Sequence, residues 1–480
     1  MLGFYRKYKH IPDAVKASMW FIICSILQKA IQFITVPLFT RLLTTEEYGQ
    51  FTLYQSWLSL FSIFATLNLS AGVFNNGMIK YSDDRDAYVS SMQGLSVVST
   101  VVVFLVYLVV CPLVGQFIGL TNFVMFIMFV QILFTPPLLF WSTRQRFEYK
   151  YRLLVLITLA ISVLTPLVGW LMVVTSRDRG LARIISCAFV SILFGLIFMI
   201  YNGVKGKVFY HKKYWRFALS FNLPLIPHYL SAIVLGQADR IMIEWYYGSS
   251  QVAIYGLAYS LSLVMNIVTS SINSSFVPWT YQQCRKENYK QIGQAAEIMV
   301  ILVGFVSLLP ALLAPELMAI LGPAEYAEGA YLVAPISMSV FFTFLYGLFG
   351  NIEFYFEKSK FVMIASVSGA VLNIVLNAIC IPLFGYQAAA YTTLVCYIAF
   401  CFAHYVFMKK TCKEQGITEP IYNIKKIILL GLFLLIVAHG MMLTYEYVIL
   451  RIVIVAAIGF ICYKNRAKVI QEFRALKNKN

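Results

Sequence analysis

PLFTRLLTTEEYGQFTLYQSWLSL, residues 37 to 60, decides how this chain is read, because a diluted copy of it returns near the middle of the sequence. Arg41, Tyr48 and Gly49 recur as Arg240, Tyr247 and Gly248 at an offset of 199, and Tyr54, Ser59 and Leu60 recur as Tyr255, Ser260 and Leu261 at an offset of 201. In each copy an apolar run ends at the arginine, a short polar turn carries Tyr-Gly, and a second apolar run begins. The pattern predicts helix, turn, helix, twice, in an internally duplicated chain.

The composition sets the solvent. Apolar residues make up 60% of 480 and charged residues 12%, with a mean hydropathy of +0.76, which no water-facing surface could accommodate. Crossing ~30 Å of hydrocarbon takes roughly 20 apolar residues per helix. Fourteen such runs are present, at 18–39, 51–72, 89–110, 122–141, 153–175, 181–201, 217–238, 251–275, 295–313, 332–350, 361–381, 388–408, 427–445 and 448–463. The fold class is therefore an all-α polytopic membrane protein. The first run is too long for a signal peptide and lacks a small-residue cleavage site, so it is read as a retained helix.

With fourteen spans both termini share one side, and all but seven of the 38 lysines and arginines fall on it. The seven are Lys29, Arg41, Arg177, Arg179, Arg183, Arg240 and Arg451. Positive loops mark the cytoplasmic face, which places both ends inside and accounts for the net charge of +17 without a nucleic-acid partner. That face also meets anionic headgroups of the bilayer. The nine cysteines have no metal-ligand spacing, so neither a disulfide framework nor a metal cofactor is expected. Short loops leave little room for an enzyme.

The duplication divides the chain into a six-helix lobe over 1–205, a second over 206–410, and two additional helices with a basic tail over 411–480. Six is even, so the repeats are parallel, a plan of secondary transporters that place a site between lobes. Polar stripes at helical spacing mark candidate lining residues: Ser25, Gln28, Lys29 and Gln32; Gln55, Ser59, Ser62 and Thr66; Ser262, Asn266, Ser270 and Asn273; Ser339, Thr343 and Tyr346; Ser366, Asn373 and Asn377. The competing reading of each stripe is helix-to-helix hydrogen bonding.

Lys29 is the sharpest single residue. It lies roughly 18 Å from Arg41 along its helix, too deep for easy snorkelling, and a cation there costs ~2.5–3.5 kcal/mol unless it faces water or a counter-charge. Arg41 and Arg240 end the duplicated runs, where their planar forks suit phosphate oxygens. The substrate-binding candidates are Lys29, Gln32, Arg41, Arg183, Arg240, Asn266 and Asn373. Asp239 and His228, eleven residues apart on one helix kinked by Pro224 and Pro227, are the candidates for coupling to a proton or sodium gradient. Glu353 and Glu357 continue a stripe into a loop and are expected to be solvated. Arg144, Arg146 and Arg152 are placed to collect an anionic headgroup at the cytoplasmic surface.

PLFTRLL, then EYG at Glu47 to Gly49, PLIPHYLS from Pro224 to Ser231, QADRIMI from Gln237 to Ile243 and IYGLAYSL from Ile254 together resemble the Wzx-type polysaccharide flippases. These belong to the multidrug/oligosaccharidyl-lipid/polysaccharide exporter superfamily. The resemblance implies a V-shaped pair of six-helix bundles in a bacterial inner membrane. It implies movement of undecaprenyl-diphosphate-linked repeat units by alternating access, with lumen cations meeting the diphosphate and other polysaccharide assembly proteins as further partners. Sugar hydroxyls left unpaired in hydrocarbon cost at least ~1–3 kcal/mol each, so a wet cleft is required. A MATE-like antiporter, a lipid II flippase and a membrane polymerase or ligase are the competing readings. The last would need a large catalytic outer loop, and the longest outer loop, 314 to 331, contains neither histidine nor arginine.

Overall fold

The computed structural model describes residues 12–454 and 456, and no strand occurs among them. The chain forms two compact units that meet in sequence between Gly256 and Leu257. The first holds α1 (Asp13–Leu42), α2 (Thr45–Thr66), α3 (Gly72–Lys80), α4 (Arg85–Ile118), α5 (Asn122–Phe147), α6 (Tyr151–Thr175), α7 (Arg179–Gly206), α8 (Lys212–Asn222) and α9 (Ile226–Tyr247). Helix α10 (Ser249–Arg285) runs from the first unit into the second. The second unit continues with α11 (Tyr289–Leu312), α12 (Ala314–Leu321), α13 (Ala330–Tyr355), α14 (Ser359–Phe384), α15 (Ala388–Glu414) and α16 (Ile424–Met442). A boundary of compactness at 256 is a different property from a boundary of sequence duplication at 205; the latter stays a proposal about how the chain arose.

Among the described residues twelve helical stretches are long and apolar enough to cross a bilayer. The chain is a multi-pass membrane protein. Two of the fourteen expected spans account for the difference. The span 448–463 lies largely outside the described residues, its helix beginning at 448. The span 51–72 corresponds to α2, which stops at Thr66 where Leu67 and Asn68 take φ of 51° and 49°, and whose glutamates and glutamines dilute its hydropathy. The span 217–238 is interrupted by a 3-10 turn: α8 ends at Asn222, the turn covers Leu223–Leu225, and α9 begins at Ile226, with Lys212–Tyr247 still one of the twelve stretches. Pro224 and Pro227 each lack the N–H a continuous helix would use, so the α-helical ladder tightens to a 3-10 turn at the point where a kink is expected. The loop 314–331 is ordered, into α12 and the 3-10 turn Ala324–Gly329.

The opening stretch folds differently from its reading as a Tyr-Gly turn. Thr44 caps α2, its hydroxyl accepting from the Glu47 N–H at 3.2 Å while the Glu47 carboxylate accepts from the Thr44 N–H at 2.8 Å. This reciprocal box starts the helix before Tyr48, so Tyr48 and Gly49 are helical and buried. In the downstream copy Gly248 does make the turn, at φ 84°. Gly49 serves close approach: a Cβ there would sit 1.8 Å from the Ser249 carbonyl oxygen. The two copies of the motif thus pack on each other. Thr45 Oγ1 donates to Ser250 Oγ at 3.3 Å, and Ser56 Oγ donates to Gln237 Oε1 at 3.0 Å.

In the first unit α5 and α6 flank α7, α1 lies along α6, and α2 packs on α9. In the second α13 is the central element, contacting α11, α14, α15 and α16. Residues such as Val109 and Leu113 of α4 are 79% and 73% exposed, as lipid-facing positions are. Because lipid is as apolar as leucine, these bundles are held by van der Waals packing and interhelical hydrogen bonds.

Candidate functional site

Most of the polar stripes are used inside the bundle. Ser59, Ser62 and Thr66 donate to the carbonyls of Gln55, Leu58 and Ser62 on their own helix, and Ser339 and Thr343 do the same on α13. Asn373 donates to Thr393 Oγ1 at 3.3 Å and accepts from Asn377 Nδ2 at 3.3 Å, while Thr392 donates to Asn377. That fully buried network joins α14 to α15. Asn266, half-buried on α10, accepts from Thr269 through its backbone oxygen.

The cations behave differently from one another. Lys29 is half-buried on α1, and Gln32 is exposed one turn on. Arg41 is exposed, its guanidinium donating to the Pro37 carbonyl at 3.2 Å. Arg240, its duplicate, is 7% exposed and donates to the Gly236 carbonyl at 2.6 Å and to Gln237 Oε1 at 3.2 Å. Gln237 is the same side chain that accepts from Ser56, so α2 fixes the group that orients Arg240.

Arg183 is the most unusual of them. It is 8% exposed, its guanidinium carbon lies 3.8 Å from the Phe39 ring centroid and 4.5 Å from that of Phe51, and its Nε and one terminal nitrogen have no hydrogen-bond partner among the described residues. Asp178 caps the helix that carries it, accepting from the Leu181 N–H at 2.9 Å. Two aromatic faces stabilise a desolvated guanidinium by about 2 kcal/mol or more, yet they leave its donors unused. Tyr48 lies within electrostatic reach of both Arg183 and Arg240. The first unit therefore contains a buried pair of guanidiniums on either helical neighbour of α2, with a phenol between them in the electrostatic sense and free N–H donors on one.

Asp239 is 1% exposed and accepts from the Tyr255 hydroxyl. His228 is half-buried with Nδ1 unpartnered. Eleven residues of helix separate them by roughly 16 Å, so the structure does not bring the two together. Arg144 is held by Asp86 and, at 2.8 Å, by Glu148, and Arg146 lies over Phe21 at 5.5 Å; Arg144 is thus already neutralised by two acids. Glu357 is exposed, but Glu353 is not solvated as expected. It is 0% exposed and its Oε1 lies 3.0 Å from His404 Nδ1. The stripe was extended one turn too far as surface, because α13 stays buried on α15 to its end. Sequence reasoning passed over His404 altogether and took Tyr48 only as half of a Tyr-Gly turn; each acquires its meaning here from a partner more than fifty residues away.

Residues 14–284 match the polysaccharide biosynthesis protein family. The chain belongs to that family. Residues 224–379 also match the MatE family. Among relatives, the Lsg locus putative protein 1 of Haemophilus influenzae is 22% identical over 369 residues, covering 75% of this chain and 89% of its own. An uncharacterized membrane protein of Methanocaldococcus jannaschii is 20% identical over 94% of both chains. Among solved structures, the lipid II flippase MurJ in an inward closed conformation superposes with a TM-score of 0.72 at 14% identity, over 94% of this chain and all of that one. An inward-facing MATE family transporter gives 0.65 at 10% identity, over 82% and 96%. The fold is the one these two solved transporters share.

Proposed function

We propose that this protein is a flippase that carries polyprenyl-diphosphate-linked oligosaccharide repeat units across the bacterial inner membrane for surface polysaccharide synthesis. Membership of the polysaccharide biosynthesis family supports the pathway, and the shared fold with transporters supports movement over catalysis. The observation that carries the reading is Arg183, a buried guanidinium with donors left free, which shares the neighbourhood of Tyr48 with the oriented guanidinium of Arg240. Diphosphate oxygens are the acceptors such forks fit. Lys29, on the same unit, supplies a third cation along the path, and a tethered glycan keeps its prenyl tail in lipid while the head passes.

Deleting the gene in its native host, with other transporters of this fold removed, tests this. Surface polysaccharide should disappear and lipid-linked repeat units should accumulate in viable cells. Unchanged surface polysaccharide would sink the proposal. The likeness to the lipid II flippase favours a second reading, which predicts lysis on depletion instead of viable cells lacking polysaccharide.

A further inference from the structure

Glu353 on α13 and His404 on α15 are 0% and 1% exposed and make one hydrogen bond, 3.0 Å between Oε1 and Nδ1. The His404 ring is fixed by stacking on Tyr346, centroids 5.3 Å apart, and by an edge contact with Phe400 at 4.9 Å. Glu353 Oε2 and His404 Nε2 have no partner among the described residues. We propose that Glu353 and His404 form a proton-operated clamp: with one proton the pair locks the end of α13 to the His404 segment of α15, and a second proton, taken at the free Oε2, releases them.

The clamp works through charge in an apolar place. With one shared proton the pair is neutral overall, whether written as carboxylate and imidazolium or as acid and imidazole, and the Nδ1 to Oε1 hydrogen bond closes it. A second proton bonds to Oε2, leaving Nδ1–H donating to Oε1 as before. The pair then carries a net positive charge with two donors, Oε2–H and Nε2–H, that have nothing to donate to. An unpaired buried charge costs several kcal/mol, and separating the two segments so that water reaches the pair removes that cost.

Among the described residues no charge other than His404 acts on Glu353. From α13 itself Tyr346 and Tyr355 approach this end, Tyr281 of α10 packs on Tyr355 at 5.6 Å, and Tyr422 ahead of α16 donates to the Leu348 carbonyl at 3.0 Å. Tyr289 of α11 and Cys284 and Cys412, of α10 and α15, lie within reach of one another there. These tyrosines and cysteines are uncharged near neutral pH, and Glu287, which reaches Tyr289, does not act on Glu353. The ion pair Lys358–Glu414, at 2.7 Å, joins the start of α14 to the end of α15 and is itself neutral overall.

The test needs no substrate, so it stands or falls apart from the flippase reading. Amide hydrogen exchange of the full chain in nanodiscs of phosphatidylethanolamine and phosphatidylglycerol is compared at about pH 5 and about pH 8, after correction for intrinsic rates. The last turns of α13 and the His404 segment of α15 should lose protection at the acid end, and Glu353→Gln/His404→Gln should abolish that loss. His404→Gln alone should reverse it, since protonating a solitary Glu353 removes a charge; this variant serves where the double variant fails to fold. Protection that is independent of pH in the native chain, a double variant that still responds, or an acid response spread equally over α5 and α7 overturns the clamp.

Discussion

Arg183 shows how one residue separates stability from function. A guanidinium without partners for two of its nitrogens is a net cost to the folded bundle of about 1–3 kcal/mol, and only a ligand met during the transport cycle would justify it. Arg183→Met, which keeps the aliphatic contact with Phe39 and Phe51, should therefore raise the melting temperature while abolishing polysaccharide export. A variant that melts lower, or that exports normally, would contradict this. Gly49 makes the opposite case. Its missing Cβ admits the Ser249 carbonyl oxygen, and overpacking typically costs ~1–3 kcal/mol, so Gly49→Ala should lower the melting temperature of the purified protein by that route without touching a charged group. The sequence displayed both residues, as a cation outside the basic loops and as half of a repeated Tyr-Gly. It did not display their partners. Phe39 and Phe51 are ordinary apolar residues in a chain that is 16% aromatic, and nothing in their spacing ties them to residue 183.

At the level of elements, helices were legible wherever hydropathy alone defines them, and less so where local chemistry intervenes. The span expected at 217–238 contained its own breakers, yet only backbone geometry shows that they act through a 3-10 turn at Leu223–Leu225. The polar stripes of α2, α13 and α14 were visible as stripes. Their use was not, because a serine donating to its own helix and a serine lining a cavity share the same spacing. The connection between α5 and α6 illustrates a charge that reads one way in sequence and another in space. Burial pushes the Glu148 carboxyl up, but hydrogen bonds from Lys150 at 2.6 Å and Arg144 at 2.8 Å outweigh that and hold it below its ordinary range. A depressed carboxylate contributes stability above its unfolded value of about 4.3 and loses it as pH falls through the folded value. Glu148→Gln should therefore flatten the acid limb of the melting profile below about pH 4.3 and leave the neutral region only slightly lowered. An acid limb unchanged by the substitution would show that the bridge contributes nothing in solution.

For the molecule as a whole, the instructive segment is the one after residue 410, expected to be appended to two six-helix lobes. Its first helix is built into the second unit. The Tyr422 hydroxyl donates to the Leu348 carbonyl at 3.0 Å, Lys426 pairs with Glu297 at 2.8 Å, Tyr445 donates to the Ala311 carbonyl at 2.6 Å, and Arg451 pairs with Glu316. Arg451 is 3% exposed, which explains why this cation stands apart from the basic loops: it is a structural tie between α12 and the segment after α16. Leu434 of α16, fully buried, fills the space beside Gly304 of α11. A chain ending at 410 would strip α16 from α11 and α13 and leave the Ala311 and Leu348 carbonyls without the tyrosines that satisfy them, each such loss costing about 1–3 kcal/mol. The truncated protein should be recovered in low yield, with hydrogen exchange accelerated in α11 and α13 and unchanged in α5 to α7 of the first unit. The single substitution Arg451→Ala should reproduce part of that pattern at α12. Normal yield and native protection of α11 after truncation would restore the view that these helices are an appendage, and would place their role outside the second unit's own stability.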